Sequence, residues 1–144
     1  DNVVECRTSV HLGLAVALDE GLMVPVIRDA ETKAVAQLAQ ETRELAAGAR
    51  AGKLSPKAYQ GATFTVTNLG MTGIDWFTPV LNAPQVGILG VSSVRERAVV
   101  RDGQIGIAAI TTLTLVFDHR AIDGYPAAQF LQAVKAHLEA PDSL

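Results

Sequence analysis

Residues 105–124 read IGIAAITTLTLVFDHRAIDG, and the change of character inside this stretch decides how the chain is organised. From Ile105 to Phe117 the side chains are almost all Ile, Ala, Thr, Leu and Val. Such a run, lacking clean alternation, predicts a strand buried on both faces and therefore central in its sheet. After Phe117 the chemistry turns polar at once, with Asp118, His119, Arg120 and Asp123 ahead of Gly124. Apolar residues then return at helical spacing (Ala127, Phe130, Leu131, Val134 and Leu138), which predicts a helix over residues 125–140. The polar segment thus lies where a buried strand hands over to a helix.

Moving outward toward the amino end, residues 86–91 and 98–100 read as short strands, with a turn at Arg101-Asp102-Gly103. Residues 68–84 hold Gly70, Gly73, Pro79, Pro84 and the single tryptophan, Trp76, with no sustained period; a long ordered loop of this kind is commonly functional. Thr63 to Thr67 alternates with period two, as a half-buried strand does. Val35, Leu38, Ala39, Leu45, Ala46 and Ala49 recur at helical spacing and predict an amphipathic helix within residues 32–54, ended by Leu54-Ser55-Pro56. Pro56 is equally suited to open a short helical turn as far as Tyr59. Residues 3–18 and 22–27 are extended and apolar around a turn at Asp19-Glu20-Gly21, the pattern of a β-hairpin. The chain opens on Asp1-Asn2-Val3-Val4-Glu5-Cys6-Arg7 with no cap, linker or leader, which predicts a fragment of a longer protein.

Composition narrows the classes. With 144 residues, 49% of them hydrophobic and 19% charged, the chain can bury the core of one domain. Its net charge of −3 and scattered basic residues argue against a nucleic-acid partner. No apolar stretch approaches the roughly 20 residues that cross a bilayer, so no membrane role is expected. The single cysteine, Cys6, cannot form an internal disulfide, in keeping with a reducing, intracellular compartment, and its apolar surroundings predict a core position.

The junction at 117–124 suits catalysis. A histidine at a strand terminus, with Asp118, Asp123 and Arg120 close in sequence, can have its tautomer and orientation fixed by neighbours, as a general base requires. The same residue types also make ordinary polar turns, and Asp123 could simply cap the following helix. His11, on the first hairpin, reads as structural, and His137, on the last helix, as solvated.

The segment Asp118-His119-Arg120, continuing as His119-x-x-x-Asp123-Gly124, resembles the active-site signature of the dihydrolipoamide acyltransferases of 2-oxo acid dehydrogenase complexes. The resemblance continues through Gly21-Leu22-Met23-Val24-Pro25-Val26-Ile27, Phe64-Thr65-Val66-Thr67-Asn68-Leu69-Gly70 and Asn82-Ala83-Pro84-Gln85, in the family's order and approximate spacing. It covers nearly the whole chain. What it implies is an α/β fold of the chloramphenicol-acetyltransferase type, a mixed β-sheet flanked by helices that forms trimers. Residues 1–144 would be the carboxyl-terminal part of the catalytic domain, with its amino-terminal portion, the lipoyl domains and the peripheral-subunit-binding domain lying elsewhere.

The resemblance implies an acyl transfer between dihydrolipoamide and coenzyme A. His119 would be the general base and Asp123 a carboxylate that orders the turn, with Asp118 and Arg120 bracing it. A family serine hydroxyl stabilises the oxyanion; this sequence departs from that pattern with Thr67, which keeps the hydroxyl but stiffens χ1. Asp19, Thr67, Asn68 and Ser92 fall where relatives contact coenzyme A, and no residue is assigned to a metal. The lipoyl group would be carried on a domain outside these residues. The implied partners are further copies of the chain in a homotrimer that builds a larger core, a lipoyl domain as substrate, and the decarboxylase and dihydrolipoamide dehydrogenase components docked elsewhere. His119 and Thr67 are expected to meet across a subunit interface; Trp76 and Phe77 in the long loop suit either subunit-contact anchors or ordinary packing. The location implied is cytoplasmic in a bacterium, or the mitochondrial matrix in a eukaryote. Two alternatives stand beside this reading. One is a chloramphenicol-acetyltransferase-like O-acetyltransferase, which shares the shorter His-x-x-x-Asp-Gly core. The other is a non-catalytic structural core subunit of the same complex.

Overall fold

In the computed structural model, which describes residues 3–141, the sequence forms nine strands and two longer helices among those residues. They are β1 Leu12–Leu14, β2 Val16–Leu18, β3 Gly21–Met23, β4 Val26–Ile27, α1 Val35–Arg50, β5 Phe64–Asn68, β6 Gly87–Val91, β7 Arg95–Arg101, β8 Gln104–Ile110, β9 Leu113–Phe117 and α2 Gly124–Glu139. The main sheet has the order β4-β1-β5-β6-β9. β5 runs parallel to both β1 and β6, while β4 and β9 are antiparallel to their neighbours at the two edges. This is the mixed sheet with flanking helices that the resemblance implies. Asp1 and Asn2 of the opening lie outside the described residues.

The parallel strands need long connections, and two of the predicted elements supply them. α1 lies on the path from β4 to β5, and the Gly/Pro loop joins β5 to β6. Thr65, Ile88 and Leu89 are buried on the inner strands and Ile27 on edge strand β4, with Ala49 of α1 and Ala127 of α2 buried where the helices pack. Phe64 on β5 and Phe130 on α2 meet edge to face at 5.7 Å, a geometry that adds about 0.5–1.5 kcal/mol to simple burial.

Three local predictions change. First, α1 stops at Arg50, ahead of Leu54-Ser55-Pro56. Gly52 adopts φ 63°, and the N–H groups of Lys53 and Gly52 donate to the carbonyls of Gly48 and Ala49. This left-handed glycine cap satisfies the last carbonyls before the proline is reached. Pro56–Tyr59 does form the separate short turn.

Second, the run 105–117 is two strands. It breaks at Thr111 and Thr112, where the Thr111 hydroxyl donates to the Ser92 carbonyl at 3.0 Å and the Ser92 N–H donates to the Thr112 carbonyl at 3.1 Å. β8 pairs only with β7, in a two-stranded ribbon turned by Asp102 and Gly103, whose φ values are 52° and 76°. Val100, Ile105 and Ile107 stand exposed on one face of that ribbon. β9 is half-buried and lies at the edge of the main sheet, so the expected central strand is not central. Third, residues 3–11 form no strand, because no neighbouring strand pairs with them, and Cys6 is exposed where a core position was expected. Among the described residues no helix is long and apolar enough to cross a membrane.

Candidate active site

β9 ends at Phe117, and the chain turns immediately. The Asp118 N–H donates to the Val86 carbonyl at 3.0 Å, tying the turn to the start of β6. The Asp118 carbonyl then accepts the N–H groups of Ala121 and Ile122 at 3.0 and 3.1 Å. Its carboxylate reaches over the next residue: Oδ1 accepts the Arg120 N–H at 3.0 Å, an Asx turn, and also Arg120 Nε at 3.0 Å. Oδ2 accepts Arg120 Nη2 at 2.6 Å. The guanidinium side-chain bonds, followed by the backbone N–H bond, hold the Asp118 carboxyl down at about 2.

His119 sits inside this loop of bonds with its ring 71% exposed. Its Nδ1 is 3.7 Å from Asp123 Oδ1, too long for a hydrogen bond but close enough for attraction once the ring is charged. The Phe117 ring lies beside the imidazole, with centroids 5.6 Å apart. Asp123 occupies the N-cap position of α2 without a side-chain capping bond, which leaves its carboxylate facing His119.

The other assigned residues gather at the far end of the sheet. Thr67 pairs with Gly90, and Gly90 with Thr114, so Thr67 is level with the beginning of β9 while His119 lies beyond its end. At about 3.3 Å per residue this places the two on the order of 15 Å apart along the strands, with β6 between β5 and β9. Within one copy they do not meet. Asn68 Oδ1 accepts the Gly70 N–H at 2.7 Å and starts the long loop, while the Leu69 N–H returns to the Val91 carbonyl. Asp19 is exposed at the tip of the β2–β3 hairpin, which continues from this same end, where the Ala15 N–H bonds the Val66 carbonyl. Ser92 is also at this end but is 2% exposed, and its Oγ has no hydrogen-bond partner. The arrangement therefore gathers Asp19, Thr67, Asn68 and Ser92 at one end, and His119 and Asp123 at the other, with Ser92 closed off from direct contact with a ligand.

Sequence reasoning did not find the brace on the long loop. Asp75 binds Arg95 Nε and Arg97 Nη2, each at 3.0 Å, and Arg95 Nη2 donates to the Gly73 carbonyl. An acid in a loop and alternating charges on a strand give no hint that they pair. Phe77 packs over Gly90, where an added Cβ would come within 3.1 Å of its ring, while Trp76 is 67% exposed. His11 is structural, as read: its Nδ1 accepts the Asp29 N–H, holding Asp29 at φ 48°. His137 is exposed on α2. A cleft of about 310 Å³ between β4 and α1, lined by Val26, Arg28, Lys33, Glu41, Leu45 and Leu54, lies at the opposite edge of the sheet from β9 and holds none of the assigned residues.

Comparison with known proteins supplies the context. The chain is 50% identical over 135 residues to the dihydrolipoyllysine-residue acetyltransferase component of the acetoin cleaving system of Bacillus subtilis, a match covering 94% of this chain and 34% of that protein. It is 49% identical over 138 residues to the dihydrolipoyllysine-residue succinyltransferase component of the 2-oxoglutarate dehydrogenase complex of Bartonella vinsonii, covering 96% and 34% respectively. Among solved structures it superposes with a TM-score of 0.87 and 44% identity on the Azotobacter vinelandii dihydrolipoamide acetyltransferase, covering 92% of this chain and 54% of that one. That structure concerns the role of a serine, a histidine and an asparagine in the catalytic mechanism. The chain spans about a third of the length of the curated relatives it matches. Residues 1–144, the whole of the sequence, match the family described as 2-oxoacid dehydrogenases acyltransferase (catalytic domain), and the chain belongs to that family.

Proposed function

We propose that the protein transfers acyl groups between dihydrolipoamide and coenzyme A, with each active site shared by two copies of the chain. The observation that carries this reading is the placement of His119 and Thr67 at opposite ends of one sheet. A base and an oxyanion donor so far apart serve one reaction only if a second copy brings its Thr67 to the first copy's His119. In the Azotobacter vinelandii enzyme the serine and the asparagine stand at the same sequence separations from their histidine as Thr67 and Asp123 stand from His119. That correspondence supports the three positions, with threonine standing for the serine and aspartate for the asparagine in this chain.

In this mechanism His119 takes the proton from an incoming thiol, which at an ordinary pKa of about 8.5 is mostly protonated near neutrality. The thiolate attacks the thioester carbonyl, and the new C–S bond pushes negative charge onto the carbonyl oxygen. The Thr67 hydroxyl donates a hydrogen bond to that oxyanion. Collapse breaks the original C–S bond, and the departing thiolate recovers the proton from His119. Asp123 orders the turn and offers its carboxylate to the charged imidazole. Coenzyme A would enter at the Asp19, Thr67 and Asn68 end, and Ser92 would shape that end from beneath the loop. The lipoyl group would arrive on a domain outside these residues. A homotrimer building a larger core, docking of the decarboxylase and dihydrolipoamide dehydrogenase components through other regions, and a cytoplasmic or mitochondrial-matrix location complete the proposal.

The test is transfer from acetyl-, succinyl- and isobutyryl-coenzyme A to free dihydrolipoamide by the assembled full-length protein and its His119→Ala variant. Activity that collapses in the variant supports the assignment, and the preferred donor names the acyl group. An assembled protein inactive with every donor, or a variant as active as the parent, would make a structural core subunit the better account.

A further inference from the structure

We infer that Asp118 is a positioning residue for His119, acting through the Asx turn that its carboxylate closes onto the Arg120 N–H and through the fork in which the Arg120 guanidinium locks that carboxylate. The inference rests on the reading of His119 as the base and adds the means by which the base is aimed.

Within one copy His119 has little else to aim it: its ring is 71% exposed, its distance to Asp123 is 3.7 Å, and the Phe117 ring lies beside it. A side chain with so few contacts inherits its direction from its backbone, and the backbone here is enclosed on both sides. The Asp118 N–H is tied to Val86 on one side, and the Arg120 N–H is tied to Asp118 Oδ1 on the other. The Asp118 side chain is 21% exposed while that of Arg120 is 90% exposed, so the carboxylate is the seated member of the pair and the guanidinium folds back onto it from solvent. The carboxyl stays ionised far below neutrality, so the clamp is closed throughout the range in which an imidazole can act as a base. Because the clamp holds the backbone on either side of the base, its loss is expected to slow the chemical step and leave substrate affinity alone.

The experiment compares Asp118→Ala, Asp118→Asn and Arg120→Met in the assembled full-length protein, measuring kcat and both KM values and checking assembly by sedimentation. Misaiming a catalytic group by a fraction of its working distance costs on the order of 10- to 100-fold. Asp118→Ala is expected to lower kcat by about that factor with both KM values unchanged. Asp118→Asn, whose amide oxygen can still accept the Arg120 N–H, is expected to recover most of the loss. Arg120→Met, which keeps the turn but removes the fork, should lower kcat a few-fold, again without a change in KM. If Asp118→Ala does not assemble, the Arg120→Met result decides. Wild-type kcat in Asp118→Ala or in Arg120→Met, or a loss in Asp118→Asn as deep as in Asp118→Ala, overturns the inference. His119→Ala run alongside separates the two readings: if it too retains activity, the proposed function fails; if it alone collapses, only the positioning role does.

Discussion

Thr67 and His119 belong to one sheet but to opposite ends of it, Thr67 level with the first residues of β9 and His119 beyond the last. A site divided in this way can be rebuilt from two defective halves. Proteins carrying His119→Ala and Thr67→Val are each expected to be nearly inactive, yet co-expressed mixed assemblies should regain part of the parent activity, because some interfaces then pair an intact histidine with an intact threonine. Assaying co-expressed against separately expressed and mixed proteins checks this; no recovery in verified mixed assemblies would place both groups within one copy.

Thr67 should tolerate loss of its methyl but not of its hydroxyl. Thr67→Ser is expected to keep kcat within a few-fold, whereas Thr67→Val, close in shape, should lose a factor on the order of 10² to 10³. Single-turnover acyl transfer under saturating substrates measures it. Equal activity in the two variants would remove Thr67 from the chemistry.

Asp118 gives the fold a pH signature. Its carboxyl is held near 2 by the Arg120 bonds, below the ordinary value, so its contribution to stability is complete above the ordinary carboxylate pKa of about 3.9. It is lost as the pH falls through the folded value. The stability difference between the parent and Asp118→Asn should therefore be constant from neutrality to about pH 5 and shrink between about pH 4 and 2. Urea melts across that range test it, and a gap that persists at the lowest pH would refute the assignment.

Gly13 is expected to resist substitution. A Cβ there would lie 2.8 Å from Thr65 Oγ1 and 2.9 Å from a Val24 methyl. Thr65 is 1% exposed and donates to Gln85 Oε1 at 2.7 Å, so it cannot yield without breaking a buried bond. Gly13→Ala should cost about 1–3 kcal/mol, read as a lowered melting temperature. An unchanged melt would mean that β1 shifts freely.

Most of the sheet could be read in advance because its strands announce themselves by residue type: Phe64 to Thr67 by alternation, Gly87 to Val91 by apolar content. The error over residues 105–117 has a physical source. Ile105 and Ile107 are as apolar as Leu113 and Leu115, yet they belong to a ribbon outside the main sheet, and the break between them is made by Thr111 and Thr112, residues that suit strands equally well. Only the tertiary bonds to Ser92 distinguish the corner from the run. Cys6 failed for the opposite reason: its neighbours have strand propensity but no partner strand. That His119 and Asp123 lie close together was legible because they are four residues apart in a short motif. The separation of His119 from Thr67 needed the register, since it depends on β9 running opposite to β6.

The β7–β8 ribbon carries a last consequence. Val100, Ile105 and Ile107 face solvent on one side of a two-stranded element, which on its own is marginal in water. If the proposed homotrimer covers this face, association adds free energy that a lone copy lacks, and folding is coupled to mass action. Heat resistance then becomes a property of concentration: the same chain should melt at a higher temperature as more of it is present, and dilution alone, without any denaturant, should loosen it.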